Sequence, residues 1–149
     1  MKRLHAVGYW NHDAWPITTP PPPVLVNLTA GFPDPRRLVE ALGPRVADER
    51  VLAYLKSGHP RMHFLGMSYC RFGCRFVPGT ACLTDGAWVW PEGLSHYVEV
   101  HQVPLPEEFL DTMRSNWWHA SRQIGAQWDS AFWVEWSRRV LNRLPNASD

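Results

Sequence analysis

Residues 81–101, ACLTDGAWVWPEGLSHYVEVH, carry two structural signals with almost nothing between them. Two short β-prone runs flank Asp85-Gly86, a dipeptide suited to the positive φ angles of a tight hairpin turn. Pro91 then reads as a helix start, because its fixed φ suits the first turn and its missing N–H costs nothing there. The helix is expected to close before Pro104. A hairpin running directly into a helix implies an α+β domain: a small antiparallel sheet packed against several helices.

The flanking sequence extends the pattern. From Met62 to Phe76 the even-numbered positions are Met62, Phe64, Gly66, Ser68, Cys70, Phe72, Cys74 and Phe76, while His63, Tyr69, Arg71 and Arg75 take odd ones. That alternation predicts one strand with its cysteines on the apolar side. Further upstream, Asp34, Pro35 and Gly43 supply a helix cap, a first position and a stop. A second helix is expected before Gly58, with Val46, Val51, Leu52 and Leu55 as its apolar stripe.

LHAVGYW (4–10) alternates as a short strand, and PITTPPPPV (16–24) is expected to be an extended connector, since consecutive prolines fix φ and remove donors. Toward the C-terminus, Pro106 and the acids after it begin a helix. A last one places Trp128, Phe132, Trp136, Val140 and Leu144 along one side, with Trp133 and Leu141 widening it. The expected organisation is a single domain over 1–149: extended 1–33, helices 34–58, sheet 59–90, helix and connector 91–112, C-terminal helices 113–145.

The chain has 149 residues, nine Trp and fourteen Pro. Fifteen basic side chains, all arginine except Lys2 and Lys56, oppose fourteen acidic ones, for a formal charge of +1. No global field favours nucleic acid or an anionic membrane. An odd cysteine count (Cys70, Cys74, Cys82) argues against a secreted disulfide framework. The N-terminus lacks the apolar run of a signal peptide, and no stretch approaches the length of a membrane span. A cytoplasmic chain is expected.

GYW near the start, YLKSG, SYCRFGC and LTDGAWVWPEGLSHYVEVHQVPLPEEF together resemble a family of small bacterial proteins of uncharacterised activity. That family joins a CRFxC motif to an LTDGxWxWPEGLxHYVExHxVxLP block. The likeness spans roughly residues 8 to 112. Arg75 stands where the family pattern has glycine after the second cysteine, and the Trp-rich tail beyond Met113 is an extension. The resemblance implies a compact domain and carries no activity with it.

Cys70, Cys74, Cys82, His96 and His101 offer thiols and imidazoles enough for zinc. If 70–74 were a continuous strand, however, the two Cα atoms would stand roughly 13 Å apart, too far for one ion. A shared site needs the chain to turn, and Gly73 is the residue that permits it. His96 and His101 fall about 140° apart around a helix, which argues against a common ion. Strand geometry therefore favours core cysteines. Zinc is the ion expected if one is held, on Cys70, Cys74 and His96.

An enzymatic alternative uses Cys74 as nucleophile, with His96 as base and Glu99, three residues on, to orient it. Stacking on nucleic acid would need exposed aromatics beside a basic groove, which the near-neutral charge disfavours. Trp117 and Trp118 are adjacent, so both cannot face one side of a helix. With Arg114 and Arg122 they make a candidate surface for a protein partner or homodimer, since Trp and Arg dominate interface hot spots. The function these readings favour is a small binding or accessory module. A small Cys/His/Glu enzyme and a zinc-stabilised module are the alternatives.

Overall fold

Thr84 and Val89 face each other across the hairpin of β3 (Ala81–Thr84) and β4 (Trp88–Pro91). The computed structural model of the chain describes residues 3–11, 31–63, 69–74, 81–120 and 127–145. Gly86 takes φ +91°, the conformation the turn requires. Asp85 Oδ1 accepts from the backbone N–H groups of Ala87 and Trp88 at 2.8 and 2.7 Å. The carboxylate is buried, and its second oxygen accepts from the Tyr54 hydroxyl at 2.6 Å. Three donors thus compensate the burial of one charge.

Pro91 does not begin the following helix. It closes β4 opposite Cys82, and the next residue still donates from its N–H to Ala81 O at 2.8 Å. A strand end tolerates a missing donor as well as a helix start does. The helix, α3, runs Leu94–His101, with Gly93 at its N-cap and Gln102 in the left-handed region at its end.

The sheet has five strands in the order β2-β3-β4-β1-β5. Antiparallel pairing, expected throughout, covers only β2 (His59–His63), β3 and β4. β1 (Arg3–Ala6) lies parallel both to β4 and to β5 (Gln127–Asp129). Parallel pairing needs a long crossover, and the chain between β1 and β4 supplies one through two helices. These are α1 (Pro35–Leu42) and α2 (Glu49–Ser57), capped by the Asp34 and Asp48 carboxylates, which accept from Arg36 N and Arg50 N. With α3, α4 (Glu107–Ser115) and α5 (Ala131–Leu141), the described residues form an α+β fold of five helices and one mixed sheet.

Several sequence expectations are corrected here. Val46 lies ahead of α2, 80% exposed, while Tyr54 joins Val51 and Leu55 on the buried face. The helix after Pro106 ends at Ser115, and Trp128 sits on β5 rather than on the last helix. The buried face of α5 is Trp133, Trp136, Ser137 and Val140. The alternation from Met62 to Phe76 is not one strand: β2 ends at His63, and the chain turns at 71–72. Residues 64–68 and 75–80, with Phe64, Arg75 and Phe76, lie outside the described residues, as does the proline-rich segment 16–24.

Aromatic rings fill the core. Trp133 stacks on Trp136 at 5.3 Å and meets Trp10 edge-on, and Trp10 meets Tyr97. Buried indoles need an acceptor for their N–H. Trp90 donates to Leu55 O, Trp133 to Tyr9 O and Trp88 to Thr112 Oγ1. These bonds tie α2, the N-terminal segment and α4 to the sheet and its helices, and α3 packs on the same core through Leu94, Tyr97 and Val98.

Candidate metal centre

The segment Tyr69–Cys74 has no regular secondary structure, and its local bonds make it a turn. Gly73 N–H donates to Cys70 O at 3.0 Å, and Gly73 takes φ +89°. That reversal draws together two cysteines that a continuous strand would hold roughly 13 Å apart. Arg71, expected on an outer strand face, is instead buried, donating to Tyr69 O at 2.7 Å and to Asn11 O at 3.4 Å. Its backbone N–H donates to the Tyr97 hydroxyl at 3.1 Å, fastening the turn to the middle of α3.

The turn carries its sulfurs to the two histidines of α3. One ligand atom each from Cys70, Cys74, His96 and His101 lies within 4.8 Å of every other. Both Sγ atoms stand 3.3 Å from His101 Nε2. Ideal zinc tetrahedra built from the usual bond lengths have ligand–ligand edges of roughly 3.4–3.8 Å, so the two edges at 3.3 Å fall just below that range and the 4.8 Å limit on the others lies about 1 Å above it. A single imidazole nitrogen has one proton or one lone pair to offer, and two thiols at equal distance crowd it. An ion at the centre of the four would resolve the conflict.

His101 is the candidate ligand that helix geometry argued against. The 140° separation describes where side chains leave the helix, not where their tips arrive. Helical side chains lean toward the N-terminus. From the last position of α3 the His101 ring therefore leans back along the helix, and its centroid comes 5.1 Å from that of His96, edge to face. HxxxxH around an intervening Tyr, opposite a CxxxC with glycine before the second cysteine, was the signal available.

The expected burial of Cys70 agrees with the structure: Cys70 is fully buried, and Cys74, the thiol expected to approach His96, is half-buried. Phe72 lies beside them, packed on the core. Burial lowers the pKa of the His101 imidazole, and His96 adds to the effect. Burial also lowers that of His96, against an opposing pull from Glu99. Both rings are thereby held neutral, the form that binds metal. Burial, then the hydrogen bond with Cys70, pushes the Cys74 thiol up.

Glu99 is exposed and stands outside the four-ligand group. Cys82 stands outside it too, buried beside Leu4, Ala6 and Val89, with Tyr9 Oη 3.1 Å from its sulfur.

Of the partner-surface residues, Arg114 lies in the last turn of α4 and Trp117 and Trp118 just past its end. Trp117 N–H donates to Arg114 O and Trp118 N–H to Met113 O, the paired bonds of a Schellman motif. Both tryptophans have positive φ, +53° and +63°. Trp117 is 82% exposed, whereas Trp118 is half-buried beneath the Arg50 guanidinium, 4.4 Å from its ring centre. Arg114 pairs with Asp111 at 2.7 Å. Arg122 lies outside the described residues.

No helix among the described residues is long and apolar enough to cross a membrane. The chain matches no protein-family model, no curated protein and no solved structure.

Proposed function

We propose that the chain is a zinc-held binding module, in which Cys70, Cys74, His96 and His101 form a closed centre that pins the 69–74 turn to α3. One observation carries the reading: four ligand atoms from two chain segments converge within 4.8 Å of one another. Four protein ligands complete a tetrahedron and leave no open position, the arrangement of structural rather than catalytic zinc. Thiolate with imidazole suits zinc far better than hard cations, which take oxygen. Each residue has a defined part. Cys70 and Cys74 supply charge once deprotonated, His96 and His101 supply neutral nitrogens, and Phe72 and Arg71 hold the turn that presents the sulfurs.

Cytoplasmic residence suits such a centre, because its thiolates must stay reduced. Kinship with the family sharing CRFxC and HYVExH belongs to the same proposal, since all four ligands fall within those two blocks. With the metal enclosed, recognition is left to the surface, where Trp117, Trp118 and Arg114 offer contacts to a protein partner or a second copy. The alternative of a thiol enzyme built on Cys74, His96 and Glu99 gains no support from a Cys74 pKa that is raised rather than lowered.

Elemental analysis of purified, tag-free protein tests the centre. One zinc per chain is expected, lost in Cys74→Ser and in His101→Gln. Absence of metal, with a Cys70→Ala/Cys74→Ala pair that costs only packing energy of about 1–3 kcal/mol, would return the cysteines to the core.

A further inference from the structure

Beside the metal centre, on another face of α3, a cleft of about 170 Å³ opens between α2, α3, α4 and the connector 103–105. Its floor is aliphatic: Val51, Val98, Val103, Leu105 and Leu110. Its rim is not. Arg45, Arg50 and Arg114 line it together with Trp118, against the single carboxylate of Asp48. Three guanidiniums and one acid leave the cleft's own lining at a net +2 around an apolar floor.

We propose that this cleft binds a small apolar carboxylate, an aryl-alkanoic or medium-chain acid, with its hydrocarbon body on the valines and leucines and its carboxylate at the arginine rim. The volume lies below the roughly 300 Å³ at which drug-sized pockets begin, so the occupant is a small molecule. An apolar floor with a few convergent charged groups is the usual composition of such a site. The planar fork of arginine matches a carboxylate with two parallel hydrogen bonds.

Each rim arginine now faces an acid: Arg45 meets Glu107 at 2.9 Å, Arg50 meets Asp48 at 3.0 Å and Arg114 meets Asp111 at 2.7 Å. All six side chains are at least 45% exposed. Exposed pairs of this kind are weak and exchange readily for a better-placed acceptor. Trp118 supplies one flat wall, and the left-handed backbone at Trp117 and Trp118 is what swings it back beside Arg50. The site does not depend on the zinc reading, although both use α3.

Isothermal titration with 4-phenylbutyrate and with the uncharged 4-phenylbutan-1-ol tests it. The acid should bind with a dissociation constant on the order of 0.1–1 mM, given typical small-ligand efficiencies. The alcohol should bind at least about tenfold more weakly, because it forfeits the charge-assisted bonds. An Arg50→Gln/Arg114→Gln variant, folded by near-ultraviolet circular dichroism, should weaken the acid about tenfold and leave the alcohol unchanged. In amide NMR spectra the acid should perturb Val51, Val98, Val103 and Leu110. Equal affinities for acid and alcohol, an undiminished double variant or no saturable binding at millimolar acid would each overturn the proposal. So would perturbation centred on Cys70, Cys74 and His101, which would assign the acid to the metal centre.

Discussion

The imidazole of His101 lies flat on the ring of Phe72, with centroids 4.0 Å apart and planes within 6° of parallel. Phe72 sits inside the 70–74 turn and His101 at the end of α3, so one stacked pair couples the two halves of the centre. The stack orients the ring whose Nε2 faces both sulfurs.

Phe72→Ala should therefore weaken zinc binding roughly tenfold, although it removes no ligand, as loss of an orienting neighbour typically does. Competition against a chromophoric chelator measures this. Phe72→Tyr, which keeps the stack, should retain the wild-type affinity. Equal losses in both variants would show that the stack does not set the affinity.

Gly73 has open space where a side chain would project but a backbone that L-residues avoid. Gly73→Val should strain the turn by about 1–2 kcal/mol and reduce zinc occupancy. Gly73→Asn should be milder, because asparagine tolerates positive φ best among non-glycine residues. A crowding effect would order the two by size alone, whereas an effect of φ spares asparagine more than its bulk allows.

Cys82→Ala serves as the internal control. Its sulfur lies on the other side of the sheet's packing, in the small cluster with Leu4 and Val89. One zinc per chain should remain, with stability lower by about 1 kcal/mol for the lost packing and the Tyr9 contact. Loss of zinc in this variant would place the metal elsewhere.

Tyr54 donates to buried Asp85 and accepts from Asn116 Nδ2 at 3.0 Å. Burial, then the Asp85 bond, raises its pKa above the usual value of 10.0. The raised phenol contributes stability that is complete below about pH 10 and declines as pH rises beyond it, because only the unfolded chain then ionises there. Tyr54→Phe should cost roughly 1.5–3 kcal/mol at neutral pH by removing a donor from a buried carboxylate. Denaturant titrations above pH 10 should show a shallower alkaline decline in the variant than in the wild type.

Gly86→Val should destabilise the hairpin by about 1 kcal/mol or more, since a β-branched residue resists the positive φ found there. Urea unfolding measures it. An unchanged midpoint would mean the turn adapts without strain.

Local chemistry was enough to set the local elements. Asp34-Pro35 and Gly43 bound α1, and Asp85-Gly86 turns the hairpin. Each depends on interactions within a few residues, which a linear pattern records. Period-two alternation failed between Met62 and Phe76 because a turn with one residue at positive φ can bury the same side chains that a strand would. The parallel placement of β1 between β4 and β5 depends on contacts more than eighty residues apart, which leave no local mark. The site follows the same division. Its four candidate ligands were visible as residue types, and three of them, Cys70, Cys74 and His96, were the set expected for zinc. Their convergence required the reversal at Gly73, the lean of His101 along α3 and the bond from Arg71 N–H to Tyr97, and these arise only when the turn and the helix pack against one core.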